Sequence, residues 1–347
     1  MPARTTSPPD QSMREQGFTL VELVVSITII GVISLIMAPI FGDMVAAQSS
    51  AWRERGKLVN RSISQAFLQY AATISTTGSL PAPHSNAASS LHSVPFNPTD
   101  TALGALLQQQ QVSLSEVNDD GRNARNVRVY QRVAGLTQSA PLYAQSGPVA
   151  TLTYDYGVIY STQCPIADTN CNKATWPRGS SQLTSTNYQT WAPVAPDFGE
   201  VHVSSLSIQK QMLAMTAQRA DRIRDAFQTY FRGRQIVAAS NDDTNFYPNS
   251  TTSPSLAVGS PSTNQGCIYS WMALDTSDIL DMVGLSKEEY GKTAWGGRFE
   301  YCRDYDATGT AGADESPHYG AIRFRKSVSS GSAPDTTTAS NNIILSF

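Results

Sequence analysis

Cysteine is the residue type whose spacing most directly predicts chemistry in this sequence, which contains four of them. Cys164 and Cys171 lie close together, Cys267 and Cys302 lie farther along, and no two form a C-x-x-C pair. Two sequential disulfide bonds, Cys164–Cys171 and Cys267–Cys302, are the simplest of the three possible connectivities. Disulfide bonds indicate an oxidising compartment such as the periplasm or the cell surface. Four buried free thiols are the alternative, and a zinc site is disfavoured because no histidine accompanies these cysteines at ligand spacing.

Residue types used in catalysis are scattered along the chain. The four histidines do not form an H-E-x-x-H pattern, and neither a G-x-S-x-G elbow nor a phosphate-binding P-loop is present. The histidines are His84, His92, His202 and His318. We therefore expect no catalytic residues and no cofactor, and we do not interpret the chain as an enzyme.

Two short segments are rich in oxygen ligands. Asp304 and Asp306 alternate along the chain before Gly309, and residues 241–243 read Asn-Asp-Asp. Hard oxygen ligands at such spacing suit Ca²⁺, but neither segment has the full EF-hand spacing. A solvated turn is the preferred interpretation, so we expect no metal site and keep Asp304 and Asp306 as calcium candidates only.

The overall composition limits the class of protein and its partners. Hydrophobic residues make up 40% of the chain, which is enough to build real cores, and the length gives room for about two domains. Charged residues make up only 15%, which is typical of a loop-rich extracytoplasmic protein. The net charge of -3 provides no basic surface for nucleic acid, so no nucleic-acid partner is expected.

A long apolar segment near the N-terminus contains one charged residue. Glu22 is the only charged residue in the segment 18–40, which follows a polar leader, residues 1–17. As an α-helix the segment would span about 35 Å, which is enough to cross a bilayer. An ionised carboxylate at the start of a membrane helix is costly, so Glu22 is expected to neutralise a positive charge on a neighbouring subunit.

Three simpler interpretations of this segment compete: a plain membrane anchor, a signal peptide cut after Ala47, and a buried core helix. A removable signal peptide has an apolar region of roughly 7–15 residues, which is shorter than this run. The charged leader and the length of the run disfavour a core helix.

Residues 17–23, Gly-Phe-Thr-Leu-Val-Glu-Leu, resemble the processing motif of type IV prepilins, which pilins share with type II secretion pseudopilins. The resemblance implies cleavage between Gly17 and Phe18 by a prepilin peptidase, and N-methylation of Phe18. It also implies that Glu22 meets the terminal amine of an adjoining subunit, and that Gly31 and Pro39 are helix-weakening residues. The implied partners are other pilin subunits, the peptidase, the inner-membrane assembly platform and a secretin. The implied location is the bacterial inner membrane before assembly, and afterwards a pilus or pseudopilus with the head in the periplasm or outside the cell.

The pattern after the apolar segment predicts one long helix packed on a sheet. No proline occurs from Asp43 to Ser75, and large apolar residues recur there at helical spacing, before Gly78 ends the helix. Residues 127–130 and 151–156 alternate as strands, and residues 161–200 are predicted to be a loop. We therefore predict an α+β fold, a pilin-like long N-terminal helix packed on an antiparallel sheet. The predicted divisions are a leader at 1–17, an assembly helix at 18–42 and a first head at 43–200.

The second half of the chain repeats features of the first. Residues 223–230, in a helix predicted from Val203 to Gly233, match residues 63–70, and Val283 begins a segment that matches the one beginning at Val112. A strand-like run follows each match, at 127–130 and at 299–301. We infer an internal duplication with a second pilin-like helix-plus-sheet head at 201–347. The alternative is that amphipathic helices resemble one another.

Residues 293–302, Thr-Ala-Trp-Gly-Gly-Arg-Phe-Glu-Tyr-Cys, resemble the Trp-Gly turn that opens a sheet strand in pilin and pseudopilin heads. The resemblance implies that Trp295 covers the sheet and that Cys302 is tied back to Cys267. Tyr188, Trp191 and Tyr247 are adhesion candidates if exposed, although packing is the default explanation.

These features predict a structural subunit of a type IV pilus-like filament, minor or at the tip, with an adhesive or assembly-initiating head. The alternative within the same machinery is a minor pseudopilin of a type II secretion system. The alternative from another class is a membrane-anchored periplasmic binding protein or enzyme.

Overall fold

The computed structural model describes residues 20–83, 101–112, 127–143, 147–162, 180–196, 198–238, 244–251, 263–308 and 317–347. The chain divides into two units, Met1–Arg55 and Gly56–Phe347, which are treated separately below. Helix α1, Leu20–Thr73, belongs to both units and contains Pro39. The predicted long helix is thus present, and the left-handed Gly78 follows its end as expected.

The first sheet has three antiparallel strands in the order β1-β2-β3. These are β1, Val127–Pro141, β2, Val149–Thr162, and β3, Phe198–Ser204. The predicted strand segments were therefore correct in place but much too short. Strand β3 begins inside the segment predicted to be a loop, and it pairs with β2.

The C-terminal part of α1 packs on this sheet through its apolar stripe. Ile63 and Phe67 are fully buried together with Tyr130 of β1 and Ile159 of β2. Helix α2, Thr101–Gln109, contributes to the same core. The helical spacing that predicted an amphipathic stem therefore corresponds to a real buried face.

The second sheet has four antiparallel strands in the order β4-β5-β6-β7. The elements of this part of the chain are α3, Leu206–Val237, β4, Met272–Ala273, α4, Ile279–Met282, α5, Lys287–Tyr290, β5, Glu300–Cys302, β6, Ala321–Arg325, and β7, Asn342–Ser346. Two short 3₁₀ turns, Val328–Ser330 and Ala339–Asn341, lie between β6 and β7.

The bounds of α3 differ from the predicted ones at both ends. Val203 pairs with Gly157 as part of β3, so the helix begins later, at Leu206. Gly233 does not end the helix, which continues to Val237. A glycine inside a helix costs only about 1 kcal/mol relative to alanine, so it does not terminate a helix by itself.

The chain contains the same helix-and-sheet arrangement twice. We call residues 56–204, with the C-terminal part of α1, α2 and β1 to β3, the first module, and residues 206–346, with α3 to β7, the second module. In the first, the rings of Phe67 and Tyr130 lie 4.7 Å apart, and in the second those of Phe227 and Tyr301 lie 4.5 Å apart. The order of elements and the pairing of β5, β6 and β7 repeat those of β1, β2 and β3, with β4 added at the edge.

The correspondence extends to hydrogen bonds and to close approaches. Tyr130 Oη donates to the carbonyl of Pro81 at 3.1 Å, and Tyr301 Oη donates to the carbonyl of Pro248 at 3.2 Å. A glycine lies two residues before the buried isoleucine that faces the helix in each module, Gly157 within β2 and Gly320 immediately before β6. A Cβ on either glycine would strike an aromatic ring, at 2.7 Å for Gly157 and 2.5 Å for Gly320.

The short helices α2 and α4 end in the same way. A residue with positive φ follows each helix, Gln111 at 58° and Gly284 at 76°. The next amide then returns to the helix, from Val112 to Leu107 O at 2.9 Å and from Leu285 to Leu280 O at 2.8 Å. This is the Schellman arrangement of a helix C-terminus. The structural counterpart of Val112 is therefore Leu285, and the sequence match that aligned it with Val283 is displaced by two residues.

The face of the second sheet that lies away from α3 holds a disulfide bond and a buried ion pair. Cys267 and Cys302 are bonded, with their Cα atoms 5.8 Å apart. Glu300 and Arg323 are opposite each other on β5 and β6, with Arg323 Nη2 2.6 Å from a carboxylate oxygen of Glu300. Cys164 and Cys171, the other predicted pair, lie outside the described residues.

The two modules share a core. Leu142, which directly follows β1, and Leu152, near the start of β2, are buried in the same cluster as Phe227 and residues of the second sheet. The amide of Thr151 also donates to the carbonyl of Lys326 at 2.9 Å. The division at residue 200 into two heads stays a prediction, because the modules are joined by these contacts within the Gly56–Phe347 unit.

Candidate assembly segment

The N-terminal half of α1 is a helix without a core of its own. Its sequence lacks any polar stripe up to Asp43, so no helix face is distinguished as the inner one. Thr28 Oγ1 donates to the carbonyl of Val24 at 2.7 Å, which satisfies one hydroxyl within the helix. Pro39 has no amide hydrogen, which removes one helical hydrogen bond from the middle of the segment.

Large apolar side chains of this segment are exposed all the way around the helix. Exposure ranges from 41% at Met37 to 80% at Leu35. The residues concerned are Leu20, Val21, Leu23, Val24, Val25, Ile27, Ile29, Ile30, Val32, Ile33, Leu35, Met37, Ile40, Phe41, Met44 and Val45. Apolar surface of this extent is unfavourable in water and is normally covered by lipid or by protein. The helix is long and apolar enough to cross a bilayer.

The predicted site residues of this segment are only partly within the described residues. Gly17 and Phe18 lie outside them. Glu22 lies in α1, but its side-chain position is not among the described features. Apart from the adjacent backbone of α1 itself, no atom of the described residues lies within 4 Å of the position that a Cβ on Gly31 would take. Packing within the described residues therefore does not require glycine at position 31, and the helix-weakening role of Gly31 and Pro39 stays a prediction.

The calcium candidates have local partners. Asp304 is buried, and its Oδ2 lies 3.5 Å from Nδ1 of His318. Asp306 Oδ1 accepts hydrogen bonds from the amide and the hydroxyl of Thr308, at 2.8 and 2.7 Å. Within the described part of the chain, no three His, Cys, Asp or Glu side chains are grouped as metal ligands. The Asn-Asp-Asp segment at 241–243 lies outside that part.

The aromatic candidates for adhesion are used in packing. Trp191 is buried, and its Nε1 donates to the carbonyl of Ser181 at 3.1 Å. Tyr247 is also buried, and its hydroxyl donates to the carbonyl of Phe347 at 2.9 Å. Tyr188 is half-buried beside Tyr154, with the two hydroxyl oxygens 3.2 Å apart. None of these three rings forms an exposed platform.

The Trp-Gly turn closes against α3. Gly296 has φ 79°, which the tight turn requires. Trp295 is buried, and its Nε1 donates to Oε1 of Gln209 at 2.8 Å. Gln209 was not identified from the sequence, because a single glutamine in an amphipathic helix gives no signal of burial.

Comparison with known proteins locates the functional signal at the N-terminus. Residues 12–38 match the family model described as the prokaryotic N-terminal methylation motif. No curated protein and no solved structure matches the chain. The matched residues include the predicted cleavage position, Glu22 and Gly31, and they overlap the first half of the exposed apolar helix.

Proposed function

We propose that this chain, which carries the N-terminal methylation signal shared by type IV pilins and pseudopilins, is a structural subunit of a pilus-like filament. The observation that carries the proposal is the coincidence of that motif with an apolar helix exposed on all sides. Such a helix needs lipid around it before assembly and neighbouring helices after it. The head, formed by the Gly56–Phe347 unit, has its own buried cores. It therefore does not need the apolar N-terminal segment in order to fold.

The chemistry of the segment follows from its charges. Cleavage after Gly17 would create a new terminal amine at Phe18, close to the carboxylate of Glu22. A carboxylate inside a membrane or a helix bundle is costly unless it is paired. We propose that Glu22 pairs with the terminal amine of an adjoining subunit, so that in the assembled filament the two opposite charges compensate each other. The remaining residues have no proposed catalytic role.

The processing step is tested by the N-terminal mass of the chain extracted from membranes, for the wild type and for Gly17→Ala. The expected wild-type chain begins at methylated Phe18, whereas the Gly17→Ala chain keeps its leader because the peptidase site is lost. A wild-type chain that starts at Met1, or at Gln48 after signal-peptide cleavage, would refute the proposal. It would leave a membrane-anchored or secreted protein of another class.

We further propose that the chain is a minor subunit or a tip subunit of the filament. Its head would act in adhesion or in the initiation of assembly. A head with two joined modules occupies more space than one module, and this disfavours dense packing along a filament. A minor pseudopilin of a type II secretion system is the alternative, and it has the same N-terminal signal. Surface filaments sheared from cells separate the two, because a pilus subunit is expected in the sheared fraction and a pseudopilin is expected to stay with the cell envelope.

A further inference from the structure

Strand β7 lies at one edge of the second sheet and pairs with another strand on one side only. Its partner is β6, and the antiparallel register is unbroken over the whole strand. At the opposite edge of this sheet lies β4, which has only two residues. At about 3.4 Å per residue β7 is about 17 Å long, so it is the edge of this sheet that can pair with a further full strand.

The hydrogen bonds between β7 and β6 show which backbone groups of β7 point outward. Gly320 and Phe347 exchange two backbone hydrogen bonds, at 3.0 and 2.9 Å. In an antiparallel pair successive residues of one strand face the partner alternately, so the odd-numbered residues of β7 face β6. The residues whose N–H and C=O point away from β6 are therefore Asn342, Ile344 and Ser346. No backbone group of the described residues pairs with them on that side.

The internal repeat identifies the counterpart of β7 in the first module. Val201 of β3 pairs with Ile159, and Leu345 of β7 pairs with Ile322. The two isoleucines are equivalent, because each lies opposite the tyrosine that packs on the helix phenylalanine of its own module. Strand β3 is therefore the counterpart of β7, and the neighbours of Val201 correspond to the neighbours of Leu345.

The two edges differ in the features that prevent pairing with another chain. The positions of Ile344 and Ser346 are taken in β3 by Glu200 and His202, whose side chains are 33% and 38% exposed. The register of β2 with β3 is also irregular near the start of β3. Charged side chains and irregular register are common protections of sheet edges. Strand β7 has neither of them.

The sequence of β7, Asn-Ile-Ile-Leu-Ser, is symmetric about Ile344 in its polar and apolar character. When a second β7 pairs antiparallel with a two-fold axis at Ile344, this residue opposes its own copy, and Asn342 opposes Ser346. Ile343 then opposes Leu345 on the face toward α3. The outward N–H and C=O groups of the two strands meet in this register. Apolar side chains meet apolar ones and polar side chains meet polar ones, which favours it.

This symmetry favours a second copy of the chain as the occupant of the edge. An unrelated extended peptide could add to the edge through its backbone alone, and it would not need a symmetric strand. Two copies related by a two-fold axis do need a strand that is compatible with itself in the reverse direction. Because β7 carries no charge, the pairing brings no like charges together within the two strands.

We propose that β7 is a docking edge for β7 of a second copy of this chain, which joins two four-stranded sheets into one continuous sheet. The contact is isologous, and the N–H and C=O of Ile344 in each copy pair with those of the other. Five residue pairs form a small contact, so it is expected where copies are concentrated in one membrane. The proposal does not depend on the filament role, because processing of the N-terminus and the contact between heads are measured separately.

The test uses the full-length chain in the membranes of cells that produce two differently tagged versions. The photoreactive residue benzoylphenylalanine replaces Ser346, which is exposed, and the matched control carries it at His202, the corresponding position of β3. After irradiation we expect a product that joins the two tags, at least tenfold more abundant for the Ser346 position, with the cross-link at or next to Asn342. No such product, equal yields at both positions, or a cross-link elsewhere or to another protein would overturn the proposal.

A charge exchange at Ile344 tests the register. Ile344→Lys in both tagged versions places two like charges opposite each other and should reduce the product at least tenfold. Ile344→Lys in one version and Ile344→Glu in the other should restore it, because opposite charges then meet. A linked peptide pair containing Cys267 and Cys302 in the unreduced digest shows that the second module is folded in each variant. With folded variants, an undiminished product for two lysines or no recovery for the mixed pair would overturn the proposal.

Discussion

Gln209 is fully buried in α3, and its side-chain amide has a partner in each direction. Its Nε2 donates to the carbonyls of Thr77 at 2.7 Å and Gly78 at 3.1 Å, just after α1. Its Oε1 accepts from Trp295 and from Ser329, each at 2.8 Å. One side chain thus connects the end of the first helix, the start of the second, the Trp-Gly turn and a 3₁₀ turn. A buried amide is stabilising only when it is fully satisfied, as this one is.

Replacing Gln209 by alanine should destabilise the protein by about 3 kcal/mol, because buried partners are left without hydrogen bonds. Gln211→Ala is the matched control, since Gln211 is exposed on the same helix and should change the stability by no more than about 0.5 kcal/mol. Urea unfolding of the detergent-solubilised chain measures both values. Equal effects of the two substitutions would contradict the role given to Gln209.

Asp278 provides a test by pH. Hydrogen bonds from Ser250 and Thr251 hold its pKa at about 2, below its ordinary value of 3.8. A carboxylate with a lowered folded-state pKa stabilises the fold above its ordinary pKa, and this contribution is lost as the pH falls toward the folded value.

The difference in unfolding free energy between wild type and Asp278→Asn should therefore be constant at pH values well above 3.8 and should shrink as the pH falls through 3.8 toward about 2. Unfolding curves recorded across that range measure it. A difference that does not change with pH would show that the ionised form of Asp278 is not the stabilising one.

At the scale of elements, helices were predicted better than strands, for physical reasons. The helical stripe containing Ile63 and Phe67 recurs over many turns, so its period is visible in the sequence. Strands β1 and β2 pair far beyond the segments predicted for them, through polar residues such as Thr137 and Thr153 that face each other. Their extension depends on the partner strand, and a period of two over so few apolar residues does not reveal it.

The repeat of elements leads to a prediction for a matched pair of residues. Burial raises the pKa of Tyr130 and of Tyr301, so both stay protonated and donate to their proline carbonyls. Tyr130→Phe and Tyr301→Phe should each cost about 1 kcal/mol, the usual net value of one hydrogen bond. Urea unfolding compares the two, and a large effect of only one would contradict the equivalence of the modules.

At the scale of the whole molecule, the N-terminal signal could be read from the sequence, whereas the junction within the head could not. Gly17, Phe18 and Glu22 are neighbours in the chain, and their motif needs no tertiary structure to be visible. The junction at Gln209 joins segments that are distant in sequence. Long-range contacts of this kind leave no local pattern.

Glu22 gives the prediction that belongs to this scale. Glu22→Ala should still be processed to begin at Phe18, because the cleavage site is intact. Its incorporation into sheared filaments should fall at least about tenfold, which corresponds to a loss of only 1.4 kcal/mol per contact. Ser26→Ala, one turn along α1, is the control and should assemble normally. Normal incorporation of Glu22→Ala, measured by immunoblot of the sheared fraction, would contradict the pairing of Glu22 with a terminal amine.

The junction between the modules also determines how the head would carry a mechanical load. Strand β3 leads directly into α3, and Ser205 between them exchanges hydrogen bonds with Asp155 of β2, at 3.0 and 2.9 Å. Four residues later, Gln209 joins α3 to the segment after α1. A pull on the second module while α1 is held therefore reaches α1 across Gln209 and the β2–β3 pair in parallel, and neither bears the tension alone.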